Sequence, residues 1–137
     1  MTNQIKIELH QVAASTSEAV MRDHRVLVDR PVAKGGADDG PMGGELFLAS
    51  VGGCFMSNLL AAIRAREAEV SDIRTEVIGT LADSPARFTA IEMRITAQSA
   101  SPELLERLVE ISDRGCIMMN TLRDKIEIQI RTGSPVS

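Results

Sequence analysis

The chain contains no tryptophan and no tyrosine, and three phenylalanines are its only aromatic residues. Aromatic faces on which nucleic-acid bases could stack are therefore scarce. Cations are in short supply as well: 15 Lys and Arg stand against 19 Asp and Glu, a formal charge of −4, so there is no basic field to draw in a phosphate backbone. A nucleic-acid partner is not expected. Cysteine is limited to Cys54 and Cys116, 62 positions apart and outside any short metal-binding or CxxC spacing. With only His10 and His24 to add, both in strand or turn contexts where imidazoles are usually solvated, neither a metal nor an organic cofactor is expected. The opening MTNQIKIEL lacks the basic start and apolar core of a secretory leader. A cytoplasmic, reducing setting follows as the expectation, in which two thiols are buried or redox-active rather than structurally paired.

What is present is enough apolar material for one soluble domain over 1–137, at 44% hydrophobic and 25% charged residues. Its densest concentration is Glu45 to Ile63, ELFLASVGGCFMSNLLAAI, with Cys54 in the middle. Residues 46–63 carry no charge and approach the length of a membrane span. Ser50, Gly52, Gly53, Ser57 and Asn58 interrupt the run and no basic cluster flanks it, so we read a buried core helix and expect no membrane. Apolar residues around its whole circumference imply enclosure by other elements. The Gly52-Gly53 pair lowers helix stability by roughly 1 kcal/mol per glycine relative to alanine, which implies close approach of another backbone or helix.

Before that run, Ile5, Ile7 and Leu9 alternate with polar residues, and Val26 to Val28 offers a partner beyond the turn-prone Arg22-Asp23-His24, which together predict an N-terminal β-hairpin. Lys34 to Gly44, KGGADDGPMGG, reads as a flexible loop. After it, Ile73 to Leu81 and Phe88 to Ala97 alternate around Asp83-Ser84-Pro85-Ala86, a second hairpin with Ile91, Met93 and Ile95 on one face. Ser101-Pro102-Glu103 is an N-cap, a first-turn proline and an acidic first turn, opening a helix with Leu104, Leu105, Leu108 and Ile111 at helical spacing. A short helix or turn from Cys116 and a last strand with Ile126, Ile128 and Ile130 complete an α+β domain built on an antiparallel sheet.

The thiols admit two readings. Free cysteine is often a small buried hydrophobe, and Met42, Met56, Met118 and Met119 near the pair would then be gap-fillers or the lining of an apolar ligand pocket. A thiol at a helix N-terminus is instead acidified by the dipole and the free amides. By that argument Cys116, at the start of its helix, is the better thiolate, and Cys54, well inside its own, needs an external cation.

Two segments carry a family resemblance. Gly40-Pro41 followed by Glu45-Leu46-Phe47-Leu48-Ala49-Ser50-Val51-Gly52-Gly53-Cys54 resembles the "P…ELLLAALGGC" segment of the osmotically inducible protein C-like (OsmC/Ohr) proteins, and Cys116 to Arg123, CIMMNTLR, is similar to their "C-P-x-S-N-T-L". The resemblance implies an intertwined homodimer with two long central helices packed between sheets. It also implies a stress-response, antioxidant thiol peroxidase acting on organic hydroperoxides: Cys54 becomes a sulfenate, Cys116 resolves it as a disulfide, and a dithiol or lipoyl-bearing protein reduces the bridge. Ten residues before Cys54, where the hydroperoxide-resistance branch places an activating glutamate, stands Gly44; Glu45 is nine before, as in more distant members. The candidate site is thus Cys54, Cys116, Glu45 and, for the arginine of the N-terminal hairpin, Arg25, with Arg22 and Arg30 nearby and Ile117 in place of the usual proline. The broad OsmC-like branch fits these departures. The alternative is a small-molecule-binding protein of the same fold with inert cysteines.

Overall fold

A computed structural model describes residues 3–133, which group into two compact units divided between Phe47 and Leu48. The first unit holds a three-stranded antiparallel sheet in the order β1 (Glu8–Gln11), β2 (Ser17–Met21), β3 (His24–Val28). The expected hairpin is therefore two hairpins sharing β2, with Leu9 opposite Ala19 and Ala19 opposite Val26. Ser17 to Met21, SEAVM, gave no alternation in the sequence, because only Ala19 is buried in the strand. Ile5 and Ile7, expected in the first strand, precede it and are exposed.

The stretch expected to be a flexible loop is tied at Ala37 and Asp39 to a buried carboxylate. After a 3-10 turn at Val32–Lys34, Asp29 accepts from the backbone N–H of Arg30 (2.7 Å), Ala37 (3.2 Å) and Asp39 (3.1 Å) and from the Thr16 hydroxyl (2.9 Å). Asp29 is 3% exposed, and burial raises its pKa, but the Asp39 and Arg30 N–H groups with the Thr16 and Ser15 hydroxyls outweigh burial and hold the carboxyl far below the usual range. Gly36 is required here, since a Cβ would run into the Arg30 carbonyl.

Helix α1 spans Gly43–Ala65, and the boundary between the units falls inside it. The Glu45 carboxylate accepts from the Met42 N–H at 2.9 Å, one half of a capping box that satisfies a donor left over at the helix start.

In the second unit β4 (Val70–Ala82) and β5 (Arg87–Ser99) form the expected hairpin, with Val77 opposite Met93 and Thr75 opposite Ile95. Leu81 is 66% exposed, beyond a register shift between Thr80 and Leu81. Ile91, Met93, Ile95 and Ala97 point inward, whereas Glu92 and Arg94 point out and join Glu76 and Arg131 in a network of surface ion pairs. Helix α2 (Pro102–Gly115) begins as read: the Ser101 hydroxyl accepts from the Leu104 N–H at 3.2 Å, with Pro102 in the first turn. It buries Leu105, Leu108 and Val109. Helix α3 (Ile117–Leu122) follows, and β6 (Glu127–Gly133) pairs with β5. That pairing is parallel, where the sequence led us to expect an antiparallel sheet throughout; the α2–α3 connection is the crossover that a parallel pair needs.

Val51, Phe55, Leu59 and Ala62 of α1 are buried at helical spacing, and the helix lies close to β4 at Gly52, where a Cβ would sit 2.7 Å from Val77 Cγ2. The close approach expected of the diglycine is thus made by Gly52, while a Cβ on Gly53 would meet nothing within 4 Å. Enclosure is one-sided within the chain: Ala49, Gly53, Ser57, Leu60, Ala61 and Arg64 are exposed. By length and composition α1 is apolar enough to cross a membrane; in the structure Val51, Phe55, Leu59 and Ala62 are buried, Met56 meets Thr75 of β4 and Asn58 donates to the Ser112 carbonyl of α2.

Candidate functional site: a thiol pair at the start of α3

Cys54 and Cys116 are free thiols whose sulfurs lie 3.2 Å apart, with the Cys116 S–H donating to the Cys54 sulfur. Cys54 comes from the middle of α1 and is half-buried. Cys116 is fully buried and is at once the C-cap of α2 and the N-cap of α3, with φ −82° and ψ 120°. Its backbone is gripped at both ends. The N–H donates to the Asp113 carbonyl at 3.3 Å, and its carbonyl accepts from the Asn120 N–H at 2.9 Å.

The electrostatics of the pair are asymmetric. Burial raises the pKa of Cys54, but the backbone N–H of Met118, the Cys116 S–H and the backbone N–H of Ile117 together outweigh it and hold this thiol below its ordinary value. Burial pushes Cys116 up; the Met119 N–H opposes the rise, but donation to Cys54 and the charge on Cys54 reinforce it. Of the two, Cys54 is therefore the more acidic thiol and Cys116 the less acidic. The sequence argument gave the helix N-terminus to Cys116 and asked for a cation beside Cys54. In the structure Cys116 does cap α3, although burial raises its pKa, and the N–H groups of Met118 and Ile117, rather than a cation, lower the thiol of Cys54, which arrives from another helix.

The other two candidate residues are engaged elsewhere. Arg25 Nη1 pairs with Glu18 Oε1 at 2.7 Å on the exposed side of the first sheet, with His10 Nε2 3.7 Å from the same oxygen, and Glu45 caps α1. Among the described residues no ion pair joins Arg25 to Glu45. Met119 is buried and Met56 Sδ accepts from the Thr75 hydroxyl at 3.0 Å, so these two of the four methionines near the pair act within the chain's own packing. Among the described residues no group of three or more His, Cys, Asp or Glu is placed to hold a metal ion.

Sequence reasoning passed over three residues that brace the pair. Arg123 Nη1 lies 3.2 Å from Asp113 Oδ2, and Nη2 reaches Asn120 Oδ1 at 3.0 Å and the Asp113 carbonyl at 3.3 Å; the Asn120 amide donates to the Arg114 carbonyl at 3.1 Å. A ten-residue separation across Gly115 belongs to no helical or strand period, so no pattern could have paired Asp113 with Arg123.

An α+β fold that brings two free thiols into contact at the first turn of a short helix defines a two-cysteine thiol protein. The family model of OsmC-like protein matches residues 36–131, and the chain belongs to that family. Solved structures with the same fold include a hypothetical protein from Aquifex aeolicus VF5 (TM-score 0.83, 18% identity, 98% of each chain covered) and an OsmC-like protein from Mycoplasma pneumoniae (0.80, 16%, 98% of each). An organic hydroperoxide resistance protein from Elizabethkingia anophelis is also similar (0.76, 18%, 98% of this chain and 100% of that one). No curated protein sequence is similar enough to this chain to count as a match.

Proposed function

We propose that the chain is a thiol-dependent peroxidase that reduces organic hydroperoxides through Cys54 and Cys116. The observation that carries this reading is the thiol pair itself: one sulfur whose pKa is lowered and a second, its pKa raised, 3.2 Å away. The Cys54 thiolate attacks the outer peroxide oxygen, the O–O bond breaks, and the alkoxide leaves and takes a proton from water as the alcohol. Cys54 is now a sulfenic acid. Cys116 loses its proton and attacks the Cys54 sulfur; the expelled hydroxide takes that proton and leaves as water. The sulfurs have only to close from 3.2 Å to about 2.05 Å. A dithiol, free or as a lipoyl group on a protein, then exchanges with the disulfide and restores both thiols. The fold relatives called organic hydroperoxide resistance proteins support the substrate class. The cycle belongs in a reducing, cytoplasmic compartment. The exposed face of α1, with Leu60 50% exposed, is the surface we assign to a second copy of the chain in a homodimer. Glu45 and Arg25 are given no step, since each is held by the partner named above.

One equivalent of cumene hydroperoxide added to the reduced protein should consume two thiols and yield a Cys54–Cys116 disulfide visible by peptide mapping. Peroxide consumption at the wild-type rate by Cys54→Ser removes Cys54 as the nucleophile. Turnover no faster than free cysteine in the wild type would instead favour the binding-protein reading.

A further inference from the structure

We propose that Arg123 is a positioning residue for the thiol pair: by tying Asn120 of α3 to Asp113 near the end of α2, it holds Cys116 against the Cys54 sulfur. The consequence for turnover rests on the peroxidase reading; the positioning itself is read on the resting thiols.

Helix α3 has six residues, too few to be stable by itself. Its N-cap, Cys116, makes no side-chain capping bond, and Met119 is its only buried residue. What fixes its direction is therefore the network at its flanks. Arg123 is central to that network, and its Nη2 shares an acceptor with the active site: the Asp113 carbonyl that takes this N–H at 3.3 Å also takes the Cys116 N–H at 3.3 Å. Asn120, which Arg123 holds at 3.0 Å, in turn holds the Cys116 carbonyl through its own N–H. Both ends of the Cys116 peptide thus hang on residues that one guanidinium connects. A planar fork can meet both carboxylate oxygens, a carbonyl and an amide oxygen together; a lysine ammonium cannot. Arg123 and Asp113 are partly exposed, at 45% and 24%, so their ion pair adds little to global stability and its loss should show in thiol chemistry first.

The test is the pH dependence of Cys54 alkylation by iodoacetamide, located by mass spectrometry, in Arg123→Gln, Arg123→Lys and Asp113→Asn, with thermal melting alongside. Positioning requires the midpoint to rise in Arg123→Gln and in Asp113→Asn by at least half a unit, about threefold less thiolate at neutral pH, with Arg123→Lys restoring only part. A purely electrostatic role gives a different pattern: removing the Asp113 charge lowers the midpoint, and lysine restores it fully. Either of those results, or an unchanged midpoint in Arg123→Gln, overturns the proposal. If Arg123→Gln fails to fold, the lysine and asparagine variants still decide between the two patterns. A wild type that consumes no hydroperoxide refutes the peroxidase and leaves the alkylation result standing.

Discussion

Replacing Cys116 by alanine isolates one contribution to the Cys54 thiolate. The substitution removes an S–H that donates to Cys54 across 3.2 Å and leaves the backbone N–H groups of Met118 and Ile117 in place. Hydrogen bonds to a charged group are worth about 1.5–3 kcal/mol, and one pKa unit corresponds to about 1.36 kcal/mol. Cys54 is half-buried, so water takes over part of the lost bond, and the discounted effect is a rise of about one unit. At neutral pH that is about a tenfold smaller thiolate fraction and a tenfold slower alkylation. Cys116→Ser, which keeps an O–H donor, should fall between alanine and wild type. Alkylation rates measured against pH give the midpoints directly. An unchanged or lowered midpoint in Cys116→Ala would mean that the S–H contributes nothing and that the α3 amides alone set the thiolate.

Three further outcomes follow from the fold. Asp29 binds its proton far more weakly folded than unfolded, so its contribution is present above the unfolded pKa of about 3.9 and is lost as pH falls toward the folded value. Asp29→Asn should therefore be less stable at neutral pH and lose less stability than wild type between about pH 5 and pH 2 in denaturant titrations. Gly52→Ala gains about 1 kcal/mol of helix propensity but puts a Cβ 2.7 Å from Val77 Cγ2, and overpacking costs about 1–3 kcal/mol; the β-branched Val77 has little room to turn away, so a net loss of up to about 2 kcal/mol is expected from urea melts. Leu60→Glu, on the exposed face of α1, should shift sedimentation from dimer to monomer without unfolding the chain, and a wild type that sediments as a monomer would refute the assignment of that face.

Local signals were legible in the sequence where local physics decides. Ser101-Pro102-Glu103 opens α2 because cap, proline and acidic first turn all act within one turn of helix, and Ile91, Met93 and Ile95 are buried because alternation alone chooses a strand's face. Non-local choices were not legible. The parallel pairing of β6 depends on a crossover, and β2 is a strand because β1 and β3 flank it rather than because SEAVM favours one. Nothing local marks Asp29 as buried, because two of its three backbone N–H donors, Ala37 and Asp39, come from the loop that returns over it.

The site shows the same division most sharply. Sequence placed a thiol at a helix start and assigned the acidifying effect to that thiol, since residue and helix are neighbours in the chain. The free N–H groups of a first turn are open to whatever acceptor reaches them besides the cap residue. In this fold that is Cys54, delivered from the middle of α1. The two sulfurs are thereby set apart: amides and the Cys116 S–H lower Cys54, while burial and the charge on Cys54 raise Cys116 despite the N–H groups of Met119 and Met118. Because the thiolate depends on the direction of a six-residue helix rather than on a fixed cation, its reactivity should be set by whatever holds α3 in place.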